Sequence, residues 1–151
     1  MATIQRHQFL FLVGRVLVGG MYVGAGITNL LDLDGKAGYT ASKGMANPYM
    51  WVIVASALLL LAGASLITGL RPMIGVGALV LFLVPVTLII HNFWAQTGLA
   101  RMTELHAFMG NVGLLGSAVM FLAIPQPWAL SLAGLPDVLH ARGYTVLRRL
   151  T

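Results

Sequence analysis

No cysteine occurs in the sequence, which removes disulfides, thiolate metal ligands and any thiol relay from the chemistry open to this chain. Charge is scarce as well. Only 9% of the 151 residues are Asp, Glu, Lys or Arg, against roughly a quarter in soluble domains. Four acidic residues face nine basic ones, a formal net charge of +5. Such a balance marks a nucleic-acid surface when basic residues cluster on a polar domain. Here they are scattered between apolar runs, so no nucleic-acid partner is expected. Phosphate-binding loops, nucleophile–base pairs and fixed-spacing metal signatures are missing too. No catalytic or metal-binding residue can be named on those grounds, and whether the chain is an enzyme stays open.

Apolar side chains dominate what remains, at 58% of the chain. They form four runs, about 9–31, 49–70, 72–94 and 105–124, each near the 20 or so helical residues needed to cross a hydrocarbon core. Asn47-Pro48 and Arg71-Pro72 are helix starts, with Pro at the first helical position. Pro85 predicts a kink in the third run, and Pro125-Gln126-Pro127 ends the fourth. The first run exceeds the 7–15 apolar residues or so of a cleaved signal peptide, so an uncleaved span is expected. The predicted fold is all-α, an integral membrane four-helix bundle forming a single domain over 1–151. Its lipid bilayer is the one certain partner.

Orientation follows from the flanking cations. Arg6, Arg71, Arg142, Arg148 and Arg149 lie on the side of the termini, and Lys36, Lys43 and Arg101 on the other. The bias predicts cytoplasmic termini. The tail 125–151 carries Leu130, Leu132, Leu135, Val138 and Leu139 before Arg142, Arg148 and Arg149, which suits a segment lying at the cytoplasmic interface. Lipid gives no hydrophobic push between helices, so close approach at small residues must drive packing. Gly20-x-x-x-Gly24 and the Gly110, Gly113, Gly116 series offer such faces, either within the bundle or against a protein partner or second copy.

Polar groups at bilayer depth are costly and mark function or packing. Arg15, Gly19, Tyr22, Gly26 and Asn29 follow four- and three-residue steps and share one helix face, predicting an inward stripe, although Arg15 could also snorkel to the headgroups. A second group, Asn29, Asp32, His91, Asn92, Trp94, Glu104 and His106, gathers at the opposite end, with Asn111 about two turns after Glu104 on the same face. His91 and His106 lack a fixed ligand spacing, so neither haem nor metal is expected. Imidazole and amide donors can instead hydrogen-bond a quinone carbonyl. They can equally satisfy one another.

Gly14-Arg15, Gly19 and Tyr22-Val23-Gly24-Ala25-Gly26 with Leu30 resemble the first-helix signature of the DoxX family of small bacterial four-helix membrane proteins. Gly69-Leu70-Arg71-Pro72 is similar to its turn between the second and third helices, and His91-Asn92-Phe93-Trp94 to its third-helix terminus. Asn111 with Gly113 to Gly116 resembles its fourth-helix pattern. Asn29 departs from the pattern, since relatives usually carry a lysine there. The resemblance implies a bacterial inner-membrane protein, and some relatives serve as subunits of thiosulfate:quinone oxidoreductase or as partners of redox enzymes. The expectation is a redox-associated subunit with no covalent cofactor. A quinone site would be built from Arg15, Tyr22, Asn29, His91, Asn92, His106 and Asn111, with a partner carrying the electron-bearing cofactor. A non-catalytic anchor or assembly subunit is the alternative, and a small transporter a third reading.

Overall fold

The computed structural model describes residues 2–132, with helices and turns and no strand among them. Leu135, Val138, Leu139, Arg142, Arg148 and Arg149, on which the interfacial tail rests, lie outside the described residues. Five α-helices follow in order: α1 (Ala2–Leu31), α2 (Leu33–Ser42), α3 (Pro48–Thr68), α4 (Pro72–Pro85) and α5 (Gly98–Leu122). Four segments are long and apolar enough to cross a membrane, Gln5–Leu31, Pro48–Thr68, Pro72–Ala95 and Gly98–Leu122. The short α2 is the element that the apolar runs do not announce.

Proline and glycine set the breaks. Pro48 and Pro72 open α3 and α4 behind left-handed Asn47 and Arg71, positions where the missing N–H costs nothing. Gly69 closes α3 in the left-handed region (φ 68°), its N–H donating to the Ser65 carbonyl at 2.9 Å. Ser65 Oγ donates onward to the Leu70 carbonyl at 2.8 Å. A β-carbon on Gly75 would come within 2.6 Å of Ser65 Cβ, so α3 and α4 are pinned together at this turn. Pro85, with no N–H to give, ends the α-helical ladder of α4. Val86–Ile90 continue as a π-turn closed by His91 N–H to the Val86 carbonyl at 3.2 Å. The kink expected at Pro85 therefore takes the form of a wider turn that re-aims every residue after it.

The core runs through Tyr22, Leu59, Ala62, Leu66, Val76, Leu79 and Leu83, with Ala118 and Trp128 joining from the other end of the chain. The face of α1 read as inward is so: Arg15, Gly19, Tyr22 and Gly26 are buried and Asn29 half-buried. Its glycines let α1 and α3 approach closely. A β-carbon on Gly63 would lie 2.6 Å from the Gly19 carbonyl oxygen and 2.9 Å from Val23 N, and one on Gly26 would lie 3.1 Å from the Ser56 carbonyl. Backbone therefore meets backbone across α1 and α3. The two glycine sets singled out in the sequence do not pack inside the bundle. Gly20, Gly24, Gly110, Gly113 and Gly116 have nothing within 4 Å of a β-carbon position. The reason is helix phase, since one residue's step from the buried Gly19 turns Gly20 about 100° away.

Candidate functional site

The seven residues expected at one site divide among three places. Arg15 sits at the end of the bundle that holds the α3–α4 turn, 1% exposed, and does not snorkel. Its Nη2 donates to the Leu130 carbonyl, and its guanidinium lies 5.9 Å from the Phe11 ring centre and 5.8 Å from that of Trp128, within cation–π reach. Gly69 makes this possible, because a β-carbon there would collide with Arg15 Nη1. Nε and Nη1 are buried without a hydrogen-bond partner. Rings seal this end: Phe11, Phe121 and Trp128 stack with centroids 5.2–6.3 Å apart. Tyr22 is 2% exposed, deeper in the bundle. Its hydroxyl faces Ser117 of α5, which donates to the Leu114 carbonyl at 2.7 Å and keeps its lone pairs free to accept.

At the opposite end one carboxylate gathers three elements. Glu104 of α5 accepts at Oε1 from Tyr39 Oη and from Lys43 Nζ, each at 2.5 Å, and its Oε2 lies 2.9 Å from His91 Nδ1. Lys43 Nζ also reaches Asn92 Oδ1 at 3.4 Å. Lys43 and Glu104 side chains are 7% and 10% exposed. A charge pair that dry holds only when its remaining polar atoms are satisfied, which Tyr39, His91 and Asn92 accomplish. Burial first, then the hydrogen bond and charge of Glu104, push the Tyr39 phenol above the ordinary tyrosine range, so it stays a donor. With Nδ1 as the donor to Glu104, the His91 ring keeps Nε2 for another partner.

Beside this hub lies a cavity of about 450 Å³. Its body is apolar and lies between the first half of α3 (Trp51, Val52, Val54, Ala55, Leu58) and the last part of α4 with its π-turn (Leu81, Phe82, Pro85, Ile89). Trp51, Val54, Leu81 and Ile89 are also exposed on the outer, membrane-facing surface, so the cavity is open on that side. Its polar wall is Asn29, Lys36, Tyr39, Thr40, His91 and Asn111. Asn111 Nδ2 is buried there without a partner.

Of the expected residues, Asn29, His91 and Asn111 thus share the cavity, and Asn92 touches its Lys43 neighbour. Arg15 and Tyr22 stand apart from it. His106 is exposed, its Nδ1 bonded 2.7 Å from the Met102 carbonyl of its own helix, because two residues' step from Glu104 carries it to the other side of α5. Lys36, Tyr39 and Lys43 were not foreseen as site residues. Their period within 36–43 was the available signal, with Lys36, Tyr39 and Lys43 at three- and four-residue steps. Among the described residues no group of three or more His, Asp or Glu is placed to hold a metal ion.

Residues 10–92, from α1 through the π-turn to Asn92, match the family model described as DoxX. Inner membrane protein YphA of Escherichia coli (strain K12) is 31% identical over 126 residues, which cover 82% of this chain and 87% of that protein. No solved structure matches the chain. With four helices of spanning length in addition, the chain belongs to the DoxX family and is a multi-pass inner membrane protein.

Proposed function

We propose that this protein is a redox-associated membrane subunit that binds a quinone-type ligand in the cavity between α3 and α4, while a partner protein carries the electron-bearing cofactor. One observation carries the reading. An apolar cavity open to the membrane-facing surface ends in a wall of imidazole and amide groups, one of them, Asn111 Nδ2, buried without an acceptor. An unpaired buried donor is costly, and a quinone supplies the missing carbonyl acceptor together with its redox capacity. About 450 Å³ is within the usual range for small-ligand sites. Within this reading Asn29, Asn111 and His91 orient the head of the ligand, Glu104 fixes the His91 ring, and the apolar walls exclude water. With cytoplasmic termini the cavity belongs to the outer leaflet.

Trp51, in the cavity wall, provides the assay. Titrating the protein in nanodiscs with a short-chain benzoquinone should quench a Trp51 component that is missing in Trp51→Phe. His91→Ala should weaken binding at least about tenfold, ~1.4 kcal/mol. Ala55→Phe, which fills the cavity from α3 and leaves the Glu104 hub intact, should do the same. Saturable quenching that survives Ala55→Phe refutes the site.

A second reading, a membrane anchor or assembly subunit, is favoured by α5, which buries only Glu104 and Ala118 and leaves a long face for a partner. A co-purifying enzyme that keeps its turnover after replacement of His91 and Asn92 would decide for it.

A further inference from the structure

Among the charged groups at the cavity end of the bundle, Lys36 is the one that lines the cavity. Lys43 is neutralised by Glu104. Asp34 accepts from Tyr49 Oη at 3.1 Å on the outer surface. Asp32 folds over its own helix start, its carboxylate oxygens occupying the space a β-carbon on Gly35 would need. Lys36 lies one turn after Asp32, at a spacing that often gives an ion pair, yet among the described residues no carboxylate is within ion-pair distance of it. Instead it lines the cavity, beside Asn29, Tyr39 and His91. Thr40, next on the same face, donates its hydroxyl to the Lys36 carbonyl at 2.9 Å. Lys43 and Glu104 offset each other, and Lys36 is the one Lys, Arg, Asp or Glu among the described residues that line the cavity.

From this we infer that the cavity selects amphiphiles with an acidic head, and that Lys36 is the residue that determines this specificity. The inference rests on the ligand reading above and adds to it the charge of the ligand. An apolar body between α3 and α4 holds the chain or ring of the amphiphile. The anionic oxygen meets the Lys36 ammonium in a partly desolvated site, where a charge-assisted hydrogen bond is stronger than a neutral one. Asn29 and Asn111 remain for uncharged oxygens.

Two probes of one skeleton separate charge from shape: a 2-hydroxy-3-alkyl-1,4-naphthoquinone, ionised at neutral pH, and its uncharged 2-methoxy ether. Each is titrated in phosphatidylcholine nanodiscs against Trp51 quenching, with Trp51→Phe as the blank. The wild-type protein should bind the acidic probe about tenfold more tightly than the ether, ~1.4 kcal/mol. Lys36→Gln should reduce that preference to within about twofold, leaving the affinity for the ether unchanged. Lys36→Arg should retain the preference, and Arg101→Gln, whose residue is not part of the cavity wall, should leave it as in the wild type. If both probes bind and Lys36→Gln keeps the wild-type preference, or the wild type shows none, the inference is overturned and the cavity reading stands. If neither probe quenches Trp51, both fall together.

Discussion

Replacing Glu104 by alanine removes the acceptor on which Lys43, Tyr39 and His91 converge. Lys43 is the costly member, since its side chain is only 7% exposed and among the described residues no other carboxylate is within ion-pair distance of it. Breaking a buried pair from one side leaves an uncompensated charge and costs about 3–5 kcal/mol. The Tyr39 hydroxyl and the His91 ring lose a partner in addition, although both can turn toward the open cavity, so the lower half of that range is expected. Replacing both partners with apolar residues of similar volume, Lys43→Met with Glu104→Leu, should return stability to within ~1 kcal/mol of the wild type. The assay is reversible unfolding in mixed micelles followed by circular dichroism. All four corners of the cycle Lys43→Met, Glu104→Leu are measured, and a coupling of at least ~2 kcal/mol is expected. A Glu104→Ala variant within ~0.5 kcal/mol of the wild type, or an additive cycle, would refute the view that the hub is a dry, mutually dependent pair.

Gly63→Ala should destabilise the bundle by about 1–3 kcal/mol, because its β-carbon meets the Gly19 carbonyl and Val23 N, both backbone atoms that cannot turn aside. Gly20→Ala and Gly24→Ala, with open space around them, should be neutral or stabilising in the same unfolding assay. For Tyr39 the folded-state pKa is raised by burial and by Glu104, so its contribution is fully present below about pH 10, the unfolded value, and is lost as pH rises through the raised one. The phenolate absorbance difference between the wild type and Tyr39→Phe should therefore emerge only above the ordinary tyrosine range; titration near pH 10 would count against the Glu104 contact. Arg15→Met removes the donor to the Leu130 carbonyl while relieving two unpaired nitrogens. It should leave stability nearly unchanged yet shift Trp128 emission to the red in a Trp51→Phe, Trp94→Phe background, since the residue is 2% exposed only while that segment stays docked.

Much of the bundle was legible because lipid simplifies the code. Spanning helices must be long and apolar, and their ends fall at Pro48, Pro72 and Gly69, whose backbone preferences are local. The inward stripe of α1 was equally legible, since Arg15, Tyr22 and Asn29 are polar groups that lipid would penalise. Glycine was ambiguous for the opposite reason. With no side chain to prefer a solvent, Gly20 and Gly24 invite a packing role by spacing alone, and only the phase set by Arg15, Tyr22 and Asn29 turns them outward while Gly19 meets Gly63. The site was half legible. Asn29, His91 and Asn111 stand in spans, where polarity is a signal, but Lys36, Tyr39 and Lys43 stand in a connecting segment, where polarity is ordinary and carries none.

The two ends of the bundle solve the burial of charge differently, and the difference explains where the cavity lies. At the α3–α4 turn, Gly75 against Ser65 and Gly69 beneath Arg15 draw the helices together. Aromatic rings and the Leu130 carbonyl cover the guanidinium. From that pinned turn α3 and α4 run to the other end, where Pro85 and the π-turn bend the second of them. Close packing can no longer be supplied by glycine there, and α2 supplies polar side chains instead. Lys43 and Glu104 lock α2 to α5, which frees Lys36 from any structural duty and leaves the gap between α3 and α4 walled but unfilled. Hydrogen-bonded charge at one end of the bundle can offset the dispersion contacts that the apolar walls of a cavity forgo, and that is the end at which the cavity lies.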